Sequence, residues 1–148
     1  MINLSQPNLT QHPPRSPRVR LGGYVHLPRL LDKARAHLAG KAGEYNYNCG
    51  LDRRFFAFVG VDPAAFLAAV KSGKTDPEIA AWIETQTQRQ GFEIIAWSAW
   101  LEQRGPGDLE DYEKFAADLK RLGATRDDVR TYFDRLDLDD YLAFGGKP

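Results

Sequence analysis

The sequence predicts an all-α fold, and three observations lead there. Apolar residues recur at helical spacing in segment after segment. Glycines and Asp-Pro pairs punctuate those segments as stops and starts. No β-branched run of strand length occurs anywhere. The expected architecture is a single domain of six or seven short helices over residues 25–148. An extended, proline-rich arm over residues 1–24 precedes it. A short extended or hairpin segment is expected near residues 43–50.

Each element has its own reason. Pro7, Pro13, Pro14 and Pro17 bias their predecessors away from helix, so the head is extended or turn-like and either wraps the domain or moves freely. Gly22-Gly23 permits a tight turn or a close backbone approach. The first helix is expected from His26 to Leu38, with Pro28 in its first turn and Leu27, Leu30, Leu31, Ala34 and Leu38 as one stripe. Arg29, Asp32 and Lys33 fall opposite that stripe. In GEYNYNC, Tyr45, Tyr47 and Cys49 alternate with Glu44, Asn46 and Asn48, which is a strand period. A helix from Leu51 to Val59 follows, anchored by Phe55, Phe56 and Val59 and broken by Gly60. Asp62-Pro63 and Asp76-Pro77 open the next two. Phe92 to Glu102 is apolar nearly all round, which predicts a helix at the centre of the core. Tyr112, Phe115, Ala116, Leu119 and Leu122 form the next stripe. Thr125 and Asp128 have capping-box spacing, predicting that the last helix starts there and carries Val129, Tyr132, Phe133 and Leu136.

Composition narrows the class. The 148 residues suffice for one domain with a core, and 11% aromatics argue against disorder. Formal net charge is zero, which disfavours nucleic acid or an anionic membrane as partner. The charge is uneven, however. Residues 1–41 carry seven Arg or Lys against one Asp, and residues 108–148 carry seven against eleven Asp or Glu. A single cysteine allows no internal disulfide. No apolar run is long enough to span a bilayer, and the N-terminus lacks secretory-signal order, so the expected location is cytoplasmic.

The stretch from Pro14 to Asp62 follows the pattern PRSPRxRLGGYxxLPRxLDKxRAxLAGxxGEYxxNCxLDxxFFxFxGVD, and Glu78 to Ile83 reads EIxxWI. In these motifs the chain resembles a widespread bacterial family of small proteins known as a domain of unknown function. The resemblance covers nearly the whole chain. It implies a complete protein rather than a fragment, and it brings no catalytic or binding residues to carry over.

No catalytic signature fixes a reaction, so whether the protein is an enzyme is not legible. His26 and His37 lie about 16 Å apart along an intact helix, from a rise of ~1.5 Å per residue, and cannot share a metal. No metal-ligand spacing occurs, and no cofactor is implied. The preferred function is binding of a small polar or anionic molecule near residues 24–54. Tyr24, Arg29, Lys33, Glu44, Tyr45, Tyr47 and Asn48 are the candidate ligand-binding residues, provided the Arg-rich head covers the polar face of the first helix. That face would ordinarily be solvated. The alternative is a non-catalytic structural or protein-interaction domain. A third reading is a thiol-dependent enzyme using Cys49, placed near a helix start, with His26 or His37 as base and Glu44 or Asp32 as its orienting group. A homodimer is expected from spare apolar surface between Gly91 and Leu101.

Overall fold

The computed structural model describes residues 1–148 and is all-α, with seven helices and one two-stranded hairpin. The chain divides into two compact units, Met1–Ser98 and Ala99–Pro148. The first holds β1 (Arg20–Leu21), β2 (Tyr24–Val25), α1 (Leu27–Leu38), α2 (Gly50–Val59), α3 (Pro63–Lys71) and α4 (Asp76–Gln86). Helix α5 (Gly91–Gln103) runs across the division. The second holds α6 (Leu109–Arg121) and α7 (Tyr132–Ala143).

The arm is neither straight nor free. It folds as a series of turns that bury Pro7, Leu9, Pro14 and Pro17. Three backbone donors pin it: Leu9 N–H to the Lys41 carbonyl at 2.9 Å, Arg15 N–H to Asp32 Oδ2 at 2.9 Å, and His26 N–H to the Pro17 carbonyl at 2.8 Å. The hairpin lies at its end, upstream of where alternation predicted one. Arg20 pairs with Val25 and Leu21 with Tyr24. Gly22 and Gly23 form the turn with φ of 59° and 84°, a pair of left-handed values that suits a two-residue hairpin loop. A Cβ at Gly23 would lie 3.2 Å from the Ile94 side chain, a tight contact that adds to the cost its positive φ already imposes on other residues. Residues 43–50 instead form two successive turns with no strand. Their alternation arises because Tyr47 and Cys49 turn toward the helices, without a ladder partner.

The core of the first unit follows the predicted stripes. Leu27, Leu30, Leu31 and Ala34 of α1 meet Phe55, Phe56 and Val59 of α2, with Phe66, Val70, Ile79 and Ile83 from α3 and α4. Asp62 caps α3 by accepting from the Ala64 and Ala65 amides. Helix α4 starts one residue earlier than the Asp-Pro pair suggests, because Thr75 and Glu78 make the capping box.

Helix α5 differs from its prediction. It is not central: Phe92 and Ile95 are 74% and 62% exposed. Its inward face carries Trp97, stacked on Phe58 with ring centroids 4.8 Å apart, and a fully buried Ser98. The Ser98 hydroxyl donates to the Gly23 carbonyl at 2.7 Å and accepts from Val25 N–H at 3.2 Å, tying α5 to the hairpin.

In the second unit, Phe115, Val129 and Leu138 form a small core with Leu119, Leu122, Tyr132 and Leu142 around it. Helix α7 begins at Tyr132, capped by a box of Thr131 and Asp134 rather than by Thr125 and Asp128. Both pairs have the same spacing. The later one wins where Tyr132 and Phe133 can pack in the first turn, and Asp128 instead pairs with Arg126 at 2.6 Å.

Candidate functional site

The polar face of α1 is covered. Arg29, Asp32 and Lys33 are 4%, 8% and 4% exposed, which overturns the ordinary expectation that a charged helix face is solvated. Buried charges require partners, since an unpaired one costs several kcal/mol, on the order of 3–5 when a partner is removed. Two clusters supply them for Lys33 and Asp32.

The inner cluster centres on Asp52, which has no exposed surface. It sits in the first turn of α2, where the helix dipole favours an anion. Lys33 Nζ donates to both of its oxygens at 2.8 Å. His26 Nε2 lies 2.7 Å from Asp52 Oδ1. The carboxylate only accepts, so Nε2 carries the hydrogen, and Nδ1 of the neutral ring holds a lone pair. That Nδ1 is buried without a partner. The Asn46 carbonyl at 3.0 Å and Cys49 Sγ at 3.2 Å also surround Lys33 Nζ, so four acceptors share its three hydrogens. Cys49 N–H completes the ring by donating to Asp52 Oδ2 at 3.2 Å. Burial alone would raise the Asp52 carboxyl, but the His26 hydrogen bond and the Lys33 charge overcome it and hold the group at about 2. Burial pushes the His26 imidazole below its ordinary value, against the pull of Asp52. His26 is held at φ 69°, a left-handed conformation that a bulky residue adopts only where its surroundings impose it.

The outer cluster joins the arm to α1 and α4. Arg15 Nε and Nη2 donate to Asp32 at 3.0 and 2.9 Å, and Nη1 donates to Asp76 at 2.7 Å. Arg35 Nη1 reaches the other Asp76 oxygen at 2.7 Å, and its Nη2 reaches the Lys74 carbonyl at 3.3 Å. These hydrogen bonds raise the Arg15 guanidinium against the opposing effect of burial, and they lower Asp76. Beside this network lies a cavity of about 270 Å³. Leu4, Pro7 and Pro13 of the arm give it apolar walls. Arg15, Asp32, Arg35 and Asp76 give it a charged floor, and His12 also lines it.

The residues that the sequence singled out fall in several places. Lys33 and Cys49 meet in the inner cluster. The Arg29 guanidinium stands 5.5 Å from the centre of the Tyr45 ring and donates to the Arg15 carbonyl at 3.3 Å, so α1, the head and the GEYNYNC segment do converge. Asn48, at φ 63°, passes its carbonyl to Arg53 Nε at 3.1 Å. Glu44 is exposed. Tyr24 packs in the core against Phe55, Phe58 and Trp97. Tyr47 donates its hydroxyl to the Pro63 carbonyl at 2.7 Å and stacks on His37.

Sequence reasoning missed Asp52, Arg35 and Asp76 as members of these clusters, and it placed Arg15 only in the head that would cover α1. Asp52 left one signal: it stands at the third helical position after Cys49, where an acid supports a helix start. His26 and Lys33 left another, since seven residues are two turns and put both on one face. No helix is long and apolar enough to cross a membrane. A search of curated proteins found no match. The model of a domain of unknown function, DUF5069, matches residues 11–142, nearly the whole of both units, and the chain therefore belongs to that family.

Proposed function

We propose that this protein binds a small polar molecule beneath its N-terminal arm, against the covered polar face of α1. The observation that carries the reading is the cavity of about 270 Å³ between the arm and the Arg15–Asp32–Asp76–Arg35 network. It lies just below the roughly 300–1,000 Å³ span of small-molecule sites, which suits a ligand of few atoms. Apolar walls with a few fixed polar groups are the usual chemistry of such sites. The floor is charge-balanced, with two guanidiniums against two carboxylates. An anion must compete with Asp32 and Asp76 for the guanidiniums, whereas a neutral polar ligand need not. The neutral ligand is therefore the favoured class. A cytoplasmic location and self-association through the exposed Phe92 and Ile95 of α5 belong to the same reading.

A thermal-shift screen on the intact protein tests it, with neutral polar metabolites and matched anions in separate arms. The expected result is a dose-dependent rise in melting temperature with a neutral compound. Leu4→Trp, which places a large ring at the cavity wall, should abolish the rise. A screen without hits, or a hit that stabilises Leu4→Trp equally, defeats the reading.

A further inference from the structure

We propose that Cys49 and Lys33 form an oxidation-sensitive pair, in which a hydroperoxide converts the thiol to a sulfenic acid that then closes onto the lysine nitrogen as a sulfenamide. The inference is independent of ligand binding at the arm cavity. It rests on four observations. Cys49 is a free thiol in a half-buried residue. Its Sγ lies 3.2 Å from Lys33 Nζ, and Asp52 and the Asn46 carbonyl fix that nitrogen in place. The chain has no second cysteine, so the ordinary route from a sulfenic acid to an internal disulfide is closed. Finally, His26 is 1% exposed and bound to the same carboxylate, yet its Nδ1 lone pair has no partner.

The chemistry balances within the cluster. A sulfur electron pair attacks one peroxide oxygen and the O–O bond breaks. The thiol proton leaves with the other oxygen as water, or as an alcohol from an organic hydroperoxide. Sulfur is oxidised by two electrons and the peroxide is reduced. In the second step Lys33 first gives up one proton, its freed lone pair attacks sulfur, an S–N bond forms and the S–O bond breaks. The ammonium gives up two protons in doing so. One leaves with the sulfenic oxygen as water. The other passes to the Asp52 carboxylate, to which Lys33 Nζ already donates. Before the reaction, the Lys33 cation balances the Asp52 anion. Afterwards Lys33 is neutral, and the retained proton balances the carboxylate. No net charge is stranded in the interior at either stage, which is the condition for a buried lysine to react there.

The test is mass spectrometry of the intact protein after treatment with hydrogen peroxide, with and without later dithiothreitol. The expected product is lighter by two hydrogens, is restored by the thiol, and gives a tryptic peptide joining Lys33 to Cys49 with no cleavage after Lys33. Cys49→Ser should not form it. Lys33→Arg, which keeps the charge beside Asp52, should instead let Cys49 gain two oxygens as sulfinic acid. The wild-type peptide map decides the matter even if either variant folds poorly. The proposal is overturned if wild-type Cys49 gains two or three oxygens while Lys33 stays cleavable. It is equally overturned if Cys49 joins only a second chain through a disulfide, or does not react.

Discussion

The two clusters that flank α1 solve the same problem with different safety margins. Around Asp52, the side chains of Lys33, His26 and Asp52 are 5%, 1% and 0% exposed. Around Asp76, those of Arg15, Arg35 and Asp76 are 37%, 13% and 26% exposed. Water can replace a lost partner in the outer cluster and cannot in the inner one. The same kinds of groups should therefore differ in cost, in pH response and in tolerance of substitution. The outer cluster behaves as a clasp that holds the arm. The inner one behaves as a fixed part of the core with a reactive edge.

The sharpest way to break this contrast is Asp52→Ala. It leaves the Lys33 ammonium and the His26 Nε2–H buried with no anion. The expected loss is about 3–5 kcal/mol of stability, the range for removing one partner of a buried pair. Urea unfolding measures it. If Asp52→Ala yields no folded protein, Asp52→Asn gives the comparison, because it keeps the shape and removes only the charge. A loss for either smaller than that of Arg15→Ala would reverse the ranking of the clusters.

Acid should find the inner cluster in two stages. The native His26 lies below its unfolded value of 6.5, so the unfolded chain binds the extra proton first. Stability therefore falls as pH drops below about 6.5. The native Asp52 lies at about 2 against 3.8, so its contribution is present above 3.8 and is lost as pH falls from there toward 2. Asp76 is also lowered and adds to the second stage only. Urea midpoints across pH 7 to 3 should show the first decline in the wild type and not in His26→Gln. A first stage that survives His26→Gln would assign it to another group.

Arg15→Ala should be milder, at about 1–2 kcal/mol, because the lost hydrogen bonds are partly solvated. Its signature is local. Limited proteolysis should cut the arm before Arg15 while α1 and α2 stay resistant, since Asp76 still holds Arg35 and the core packing between the helices is untouched. Cleavage spreading through both helices would show that the clasp and the core are one unit.

This contrast also marks what could be read from the sequence. The stripes of α1 and α2, the Asp62 cap and the Gly22-Gly23 turn are local patterns, and each is set by residues within a few positions. The burial of Lys33 is not local. It depends on Asp52 arriving from the next helix and on the arm lying over the same face, and nothing in the spacing of Arg29, Asp32 and Lys33 distinguishes that from solvation. The apolar run of α5 misled for the same reason: Phe92 and Ile95 have the composition of a core, while the tie through Ser98 turns them outward. In α7 two equal capping signals stood six residues apart, and tertiary packing chose between them.

The smallest expected effect separates structure from chemistry at Cys49. If the thiol is present for stability, a smaller and more polar atom there should cost something. The geometry argues otherwise. Cys49 occupies the N-cap position of α2, where serine is a preferred residue and cysteine is not. A serine oxygen would accept from Lys33 at least as well as sulfur does, and the site is half-buried, so little packing is lost. Cys49→Ser should therefore change stability by less than about 0.5 kcal/mol, within the range of ordinary surface substitutions. A loss above about 1 kcal/mol by urea unfolding would mean that the sulfur is a packing atom at the start of α2. A neutral result, beside loss of the cross-link to Lys33, leaves reactivity as the property for which sulfur differs from oxygen at this position.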